Sequence, residues 1–205
     1  MKSYIMINNL KIALTEEQVK AIIAANEQEN SSVRLADIPT GELAKIGGYQ
    51  FLVLEQLEGT TALICKDLIG DPTQFGENNN YDGSYVDEIC NSFSEAIADA
   101  AGEDNLISHI VDLTSDDGLK DYGTVEREVS LLTTEQYRKY VDILDKCNPG
   151  KWWWLATPHS TSRHSNDSWV KCVSPSGYFY SDGCLNGYGG VRPFCILKSS
   201  IFVSR

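Results

Sequence analysis

Residues 152–158 read "WWWLATP", and residues 189–198 read "GGVRPFCILK". Three of the chain's four tryptophans stand in the first stretch. In an extended strand successive side chains alternate between faces, so Trp152 and Trp154 share one face and Trp153 and Leu155 the other. Aromatic strand residues mostly pack in cores, so at least two of the three rings are expected inside. From Pro158 to Ser168 there is no aliphatic side chain, and Trp169 opens the next strand, "WVKCV". A turn "SPSG" follows, then "YFYS", a glycine-rich loop and the "GGVRPFCILK" strand. Gly189 and Gly190 read as a close backbone approach, and Arg192 as a structural ion pair or carbonyl clamp.

Working outward, the preceding residues fall into helices and strands. "TEQYRKYVDILDKC" follows Thr133, which with Gln136 has capping-box spacing, and Tyr137, Tyr140, Val141 and Leu144 form a helical stripe. "VDLTSDDGLKDYG" (111–123) is acidic and lacks EF-hand spacing, so a solvated loop is expected. A second helix follows Ser84, with Val86, Ile89, Cys90, Phe93 and Ile97 on one face and Gly102 as its stop. "GGYQFLVLEQLEGTTALICKDLI" (47–69) reads as a β-hairpin turning at Glu58-Gly59. Phe51 and Val53 face one way and Leu52 and Leu54 the other, so its first strand is central. "LTEEQVKAIIAANEQ" (14–28) reads as a helix capped by Thr15 and Gln18. Strands separated by helices early and by turns late predict an α+β class. The division expected is an N-terminal helical extension over 1–40 and one domain over 41–205.

The chain has 205 residues and a net charge of −12. A protein this acidic is a poor partner for nucleic-acid backbones or anionic membranes. No stretch is apolar enough to span a bilayer, and the start does not read as a signal peptide, which predicts cytoplasmic synthesis. The charge is uneven: residues 151–205 hold six Lys and Arg against two acids, net +4, leaving −16 on the first 150. Half of the 20 aromatic residues also lie there, which marks that segment for a separate task. The six cysteines form no CxxC pair, so zinc and redox motifs are not expected, and free buried thiols are.

The pair "WWWLATP … YGGVRPFCILKSSIF", with "KIGGYQFLVLEQLEGTTALICKDLI" and "VSLLTTEQYRKY" upstream, resembles a family of bacterial and phage domains with a "WWL-x-x-P … GVRP" signature. The resemblance covers roughly residues 40–205. It implies a C-type-lectin-like fold of the formylglycine-generating branch, with helices packed on short twisted antiparallel sheets. It also implies similarity to the variable proteins of diversity-generating retroelements, rewritten at adenine positions between the two motifs. The function so implied is a ligand- or receptor-binding display protein, for instance on a phage tail. Its partner would be a host surface protein or glycan, alongside other virion proteins or further copies of itself.

The composition of residues 158–190 is compatible with that. Tyr, Ser, Gly, Asn, His and Arg give adaptable contacts at low entropic cost. The contact residues expected are His159, Thr161, Arg163, His164, Asn166, Asp167, Trp169, Lys171, Tyr178, Tyr180, Asp182, Asn186 and Tyr188. Arg163, Trp169, Tyr178, Tyr180 and Tyr188 lead, because Arg and large aromatics dominate measured interfaces. Trp152, Trp153, Trp154, Gly190, Arg192 and Pro193 are expected as scaffold. His159 and His164 with Cys184, Asp167 or Asp182 have no spacing that fixes a catalytic or metal constellation, so no enzyme activity, cofactor or metal is expected. The alternatives are an enzyme of the formylglycine-generating type, which would need activated cysteines, and a structural module of a virion.

Overall fold

A strand apolar on both faces must be covered on both sides, and the Phe51–Leu54 run sets the architecture in that way. In the computed structural model, which describes residues 4–7, 10–22 and 32–204, this run lies in β5 (Tyr49–Gln56), between β4 (Leu43–Ile46) and β6 (Thr60–Cys65). Phe51 and Val53 enter one buried cluster, with Phe93 and Ile97 of α2 (Tyr85–Ala101). Leu52 and Leu54 enter a second, with Tyr137, Tyr140 and Leu144 of α3 (Thr134–Leu144). The sheet therefore separates two cores, each closed by one helix.

Strands from the end of the chain complete this sheet. β16 (Phe194–Lys198) pairs antiparallel with β6, placing Cys195 opposite Leu63. β17 (Phe202–Ser204) bridges β4 and β3 (Ser32–Arg34). β11 (Val129–Ser130) and β8 (Leu106–Ile107) also pair with β16. A second sheet runs β14 (Phe179–Gly183), β13 (Trp169–Val173), β12 (Trp153–Pro158), β15 (Gly189–Val191), β7 (Ile69–Thr73). Small hairpins join β1 (Tyr4–Ile7) to β2 (Leu10–Ala13) and β9 (His109–Asp112) to β10 (Thr124–Arg127).

The expected α+β, C-type-lectin-like class is overturned. Among the described residues strand outweighs helix, and most of the strands lie in two curled sheets. The α+β reading followed strand order along the chain, early strands with helices and late strands with turns. Hydrogen bonding instead places β16 beside β6 and β17 beside β4, so early and late strands share one sheet. β3 belongs to this sheet, and Leu35 and Ile38 are fully buried in its core.

Local signals survive in detail. Ser84 accepts the Asp87 amide at 3.2 Å. Thr133 and Gln136 close a reciprocal capping box on α3. Thr15 and Gln18 do the same ahead of α1, of which residues 16–22 are described. The rest of that expected helix, 23–28, lies outside the described residues. Among the described residues no helix is long and apolar enough to cross a membrane.

Candidate binding face

The tryptophans divide between the two cores. Trp154 and Trp153, 0% and 1% exposed, join opposite clusters, as strand alternation requires. Trp154 Nε1 donates to the Thr73 carbonyl at 3.0 Å, and its ring meets Phe75 edge-on at 5.9 Å. A Cβ on Gly189 would lie 2.2 Å from the Trp154 indole, and one on Gly190 2.3 Å from Leu68 Cδ1. The two glycines are the only residue type that lets β15 lie so close. Trp153 lies under Arg192, whose guanidinium carbon is 5.0 Å from the ring centroid. Arg192 is fully buried and clamps three carbonyls: Cys65 through Nε at 2.9 Å, and Lys66 and Cys147 through Nη2 at 3.2 and 2.8 Å. Burial pulls its pKa down to about 10, which leaves it charged at neutral pH.

The acidic segment 112–121 is not the free solvated loop expected. It is the counterpart of the polar segment after Pro158. Asp117 accepts from Ser160 Oγ at 2.7 Å and lies 3.0 Å from His164 Nδ1. Asp121 accepts from Thr161 Oγ1 at 2.6 Å and pairs with Arg163. Asp116 pairs with Lys171 at 3.2 Å and Arg138 at 3.4 Å, and its amide donates to the Pro158 carbonyl at 2.9 Å. Hydrogen bonds from Ser115, then Ser160, and more weakly His164, hold the Asp117 carboxyl well below the usual carboxylate range. The excess of positive charge late in the chain is thus partly met by acids from its middle.

A further anchor is Asn79, which is completely buried. Its Nδ2 donates to the carbonyls of Ser160 at 3.0 Å and Trp169 at 2.7 Å, while its Oδ1 accepts from Tyr122 Oη at 2.8 Å. Its own amide donates to the Asp167 carbonyl at 2.8 Å. Sequence reasoning missed Asn79, Asp116, Asp117 and Asp121. The visible signal was the opposite charge of the two segments.

The expected contact residues do not form one face. Pairing of β13 with β14 sets Trp169 opposite Gly183 and Lys171 opposite Ser181, so Trp169, Lys171 and Ser181 share one side. His159 Nδ1 lies 3.2 Å from Ser181 Oγ, which adds it to that group. Tyr180 is opposite Cys172 on the reverse side, where it meets Trp152 edge-on at 5.5 Å; Tyr188 meets Trp152 at 6.1 Å. Trp169, Tyr178, Tyr180 and Tyr188 are 46–61% exposed. Arg163, His164, Asp167 and Asn186 are exposed, and Asn166 half-buried, along the connecting loops. Thr161 and Asp182 are buried instead. Thr161 bonds Asp121, and Asp182 accepts from the Gly183 amide at 2.8 Å and from the Asn186 side chain. Those two hold the loops in place.

All six cysteines are free, and five are buried. Burial pushes the Cys172 and Cys195 thiols up to about 12 and raises Cys184 as well. Among the described residues no three His, Cys, Asp or Glu side chains are grouped to hold a metal ion. No curated protein and no solved structure matches the chain. A family model described as a domain of unknown function, DUF6273, matches residues 115–199, the stretch from the acidic loop to the end of the last core strands before β17.

Proposed function

We propose that this chain is a non-enzymatic display protein whose residues 158–190 bind a host surface ligand, a protein or a glycan, as part of a phage tail or comparable surface. One observation carries the reading: five of the twelve large hydrophobic side chains exposed among the described residues fall between Trp169 and Tyr188. In the sequence they lie between β12 and β16, whose own aromatic residues are buried. Exposed Tyr and Trp on a rigid support are the side chains that dominate binding energy at interfaces. The amino-acid choice of the loops also suits diversification by a retroelement, which substitutes among Asn, Asp, His, Ser, Tyr, Gly and Arg.

The enzyme alternative of the formylglycine-generating type draws no support from the cysteines of this region, since its chemistry needs an activated thiolate and burial works the other way. The test is attachment of the purified chain to candidate bacterial hosts, compared with a Tyr180→Ala, Tyr188→Ala double variant. Deep sequencing of the locus adds a second reading. Substitutions spread evenly along the gene, or attachment unaffected by the two tyrosines, would sink the proposal.

A further inference from the structure

β14 is the last strand on its side of the second sheet, and among the described residues β13 is its one strand neighbour. The register with β13 decides which backbone groups are used. Cys184 N donates to the Ser168 carbonyl at 2.8 Å, and Ser174 N to the Tyr178 carbonyl at 3.0 Å, one bond at each end of the pairing. In an antiparallel ladder such bonded pairs recur at every second residue. Tyr180, opposite Cys172, and Asp182, opposite Val170, therefore bond back to β13. Phe179 and Ser181 are the alternate residues, so the N–H and C=O of each point away from the sheet. Among the described residues these groups have no hydrogen-bond partner. Both residues are half-buried rather than sealed.

Natural sheets blunt such edges with proline, lysine or a bulge. β7, at the opposite edge of the same sheet, carries Asp71 and Pro72. β14, "FYSDG", has neither proline nor lysine, and its pairing with β13 runs without a bulge. Its one charge, Asp182, is buried and turned onto the Gly183 amide and the Asn186 side chain.

Spacing decides what fits this edge. Donors and acceptors alternate along it at the repeat of an extended backbone, and an extended polypeptide presents the complementary alternation. A glycan offers hydroxyls but no amide ladder. Side chains add selectivity. Tyr178 and Tyr180, both exposed, share one face of the strand, so incoming residues on that face meet aromatic rings. On the other face the Arg138 guanidinium carbon and the Lys171 ammonium nitrogen lie 5.3 and 5.8 Å from the Phe179 ring centre, which favours polar or acidic residues there.

We propose that β14 binds an extended segment of a protein ligand, added to the sheet as a further strand and hydrogen-bonded to the backbone of Phe179 and Ser181. This rests on the reading of residues 158–190 as a binding region and narrows its ligand to polypeptide.

The experiment uses the full chain to select from a random peptide library and remakes the enriched peptides with one N-methyl amide at each position in turn. Fluorescence anisotropy reads their affinity. Enriched peptides should alternate apolar residues with polar or acidic ones. N-methylation should weaken binding about tenfold at every second amide of the bound stretch and leave the intervening amides unaffected, because only alternate amides of an added strand face β14. Ser181→Pro removes an outward N–H and no bond to β13, so it should weaken binding about tenfold, the effect of one lost hydrogen bond. Ser181→Ala keeps the amide and should bind as the unmodified chain does. Should Ser181→Pro melt below Ser181→Ala, the N-methyl pattern alone decides. No enriched peptide, N-methyl sensitivity without alternation, or equal affinity in a folded Ser181→Pro overturns the proposal. A dimer of the free chain that Ser181→Pro dissociates does so too, since a second copy would then occupy the edge. Loss of host attachment in the Tyr180→Ala, Tyr188→Ala variant with attachment intact in Ser181→Pro would remove this proposal and leave the binding region standing.

Discussion

The Cβ that Gly189 lacks would stand 2.2 Å from Cε2 of Trp154. Two residues far apart in the chain are thus cut to fit one another, and the indole fills the space that the missing side chain leaves. Trp154 further ties β12 to β7 through its bond to the Thr73 carbonyl. The substitution Gly189→Ala should therefore destabilise by at least about 1–3 kcal/mol, the range for overpacking a close-packed core. Trp154→Ala alone should cost about 3–5 kcal/mol. The double variant should cost less than the sum of the two, because the methyl would enter the vacated space. Urea denaturation of the three variants checks this.

Arg192 holds three carbonyls from two different segments. A lysine ammonium has no planar fork and cannot reach all of them at once. Arg192→Lys should lose at least one bond to a charged donor, about 1.5–3 kcal/mol. A lower thermal midpoint with an unchanged far-ultraviolet spectrum is the expected result.

The Asp117 contacts carry a pH dependence with a defined sign. Hydrogen bonds lower this carboxyl's pKa in the folded state. Its contribution to stability is therefore full above the ordinary carboxylate value, near 3.9 for an unfolded Asp, and is lost as pH falls through the depressed folded value. Asp117→Asn should lower stability at pH 7 and converge with the unmodified protein in acid. Hydrogen exchange should show faster amide exchange at His164 and Ser165 in the variant, whose amides close the turn from Thr161 and Ser162.

Thiol reactivity should follow burial. Cys147 is the one cysteine that is not buried. A thiol-specific chromogenic reagent should modify one site on the folded protein and six after unfolding. Fast reaction of Cys172 or Cys184 would revive the enzyme alternative.

The exposed tyrosines should behave differently from the buried tryptophans. Tyr180→Ala and Tyr188→Ala remove side chains 50% and 47% exposed, so each should shift stability by no more than about 0.5–1 kcal/mol. Loss of host attachment by tenfold or more, at equal thermal stability, is the outcome that separates a contact role from a packing role.

Much of the local structure was legible. Caps at Ser84 and Thr133, the stripe on α2, the two-faced strand through Phe51–Leu54 and the alternation of Trp153 and Trp154 all depend on neighbours a few residues away. Spacing reports such relations directly. The binding residues were only partly legible, because exposure depends on what the rest of the chain covers. Thr161 and Asp182 resemble Asn166 and Asn186 in composition, yet the first two are buried and bonded inside.

The sequence by itself determined where helices begin, which strand is central and which stretch is polar between aromatic borders, since periodicity and capping act over one or two turns. The tertiary structure alone decided that β16 and β17 return to pair beside β6 and β4, so that late strands complete the sheet begun by early ones. It alone decided that Asp116, Asp117 and Asp121 hold the segment after Pro158, and that Trp169 and Tyr180 point to opposite sides. The physical reason is the same in each case. Strand register and charge pairing are relations between segments distant in the chain, and their free energy exists only once a fold has brought the two together.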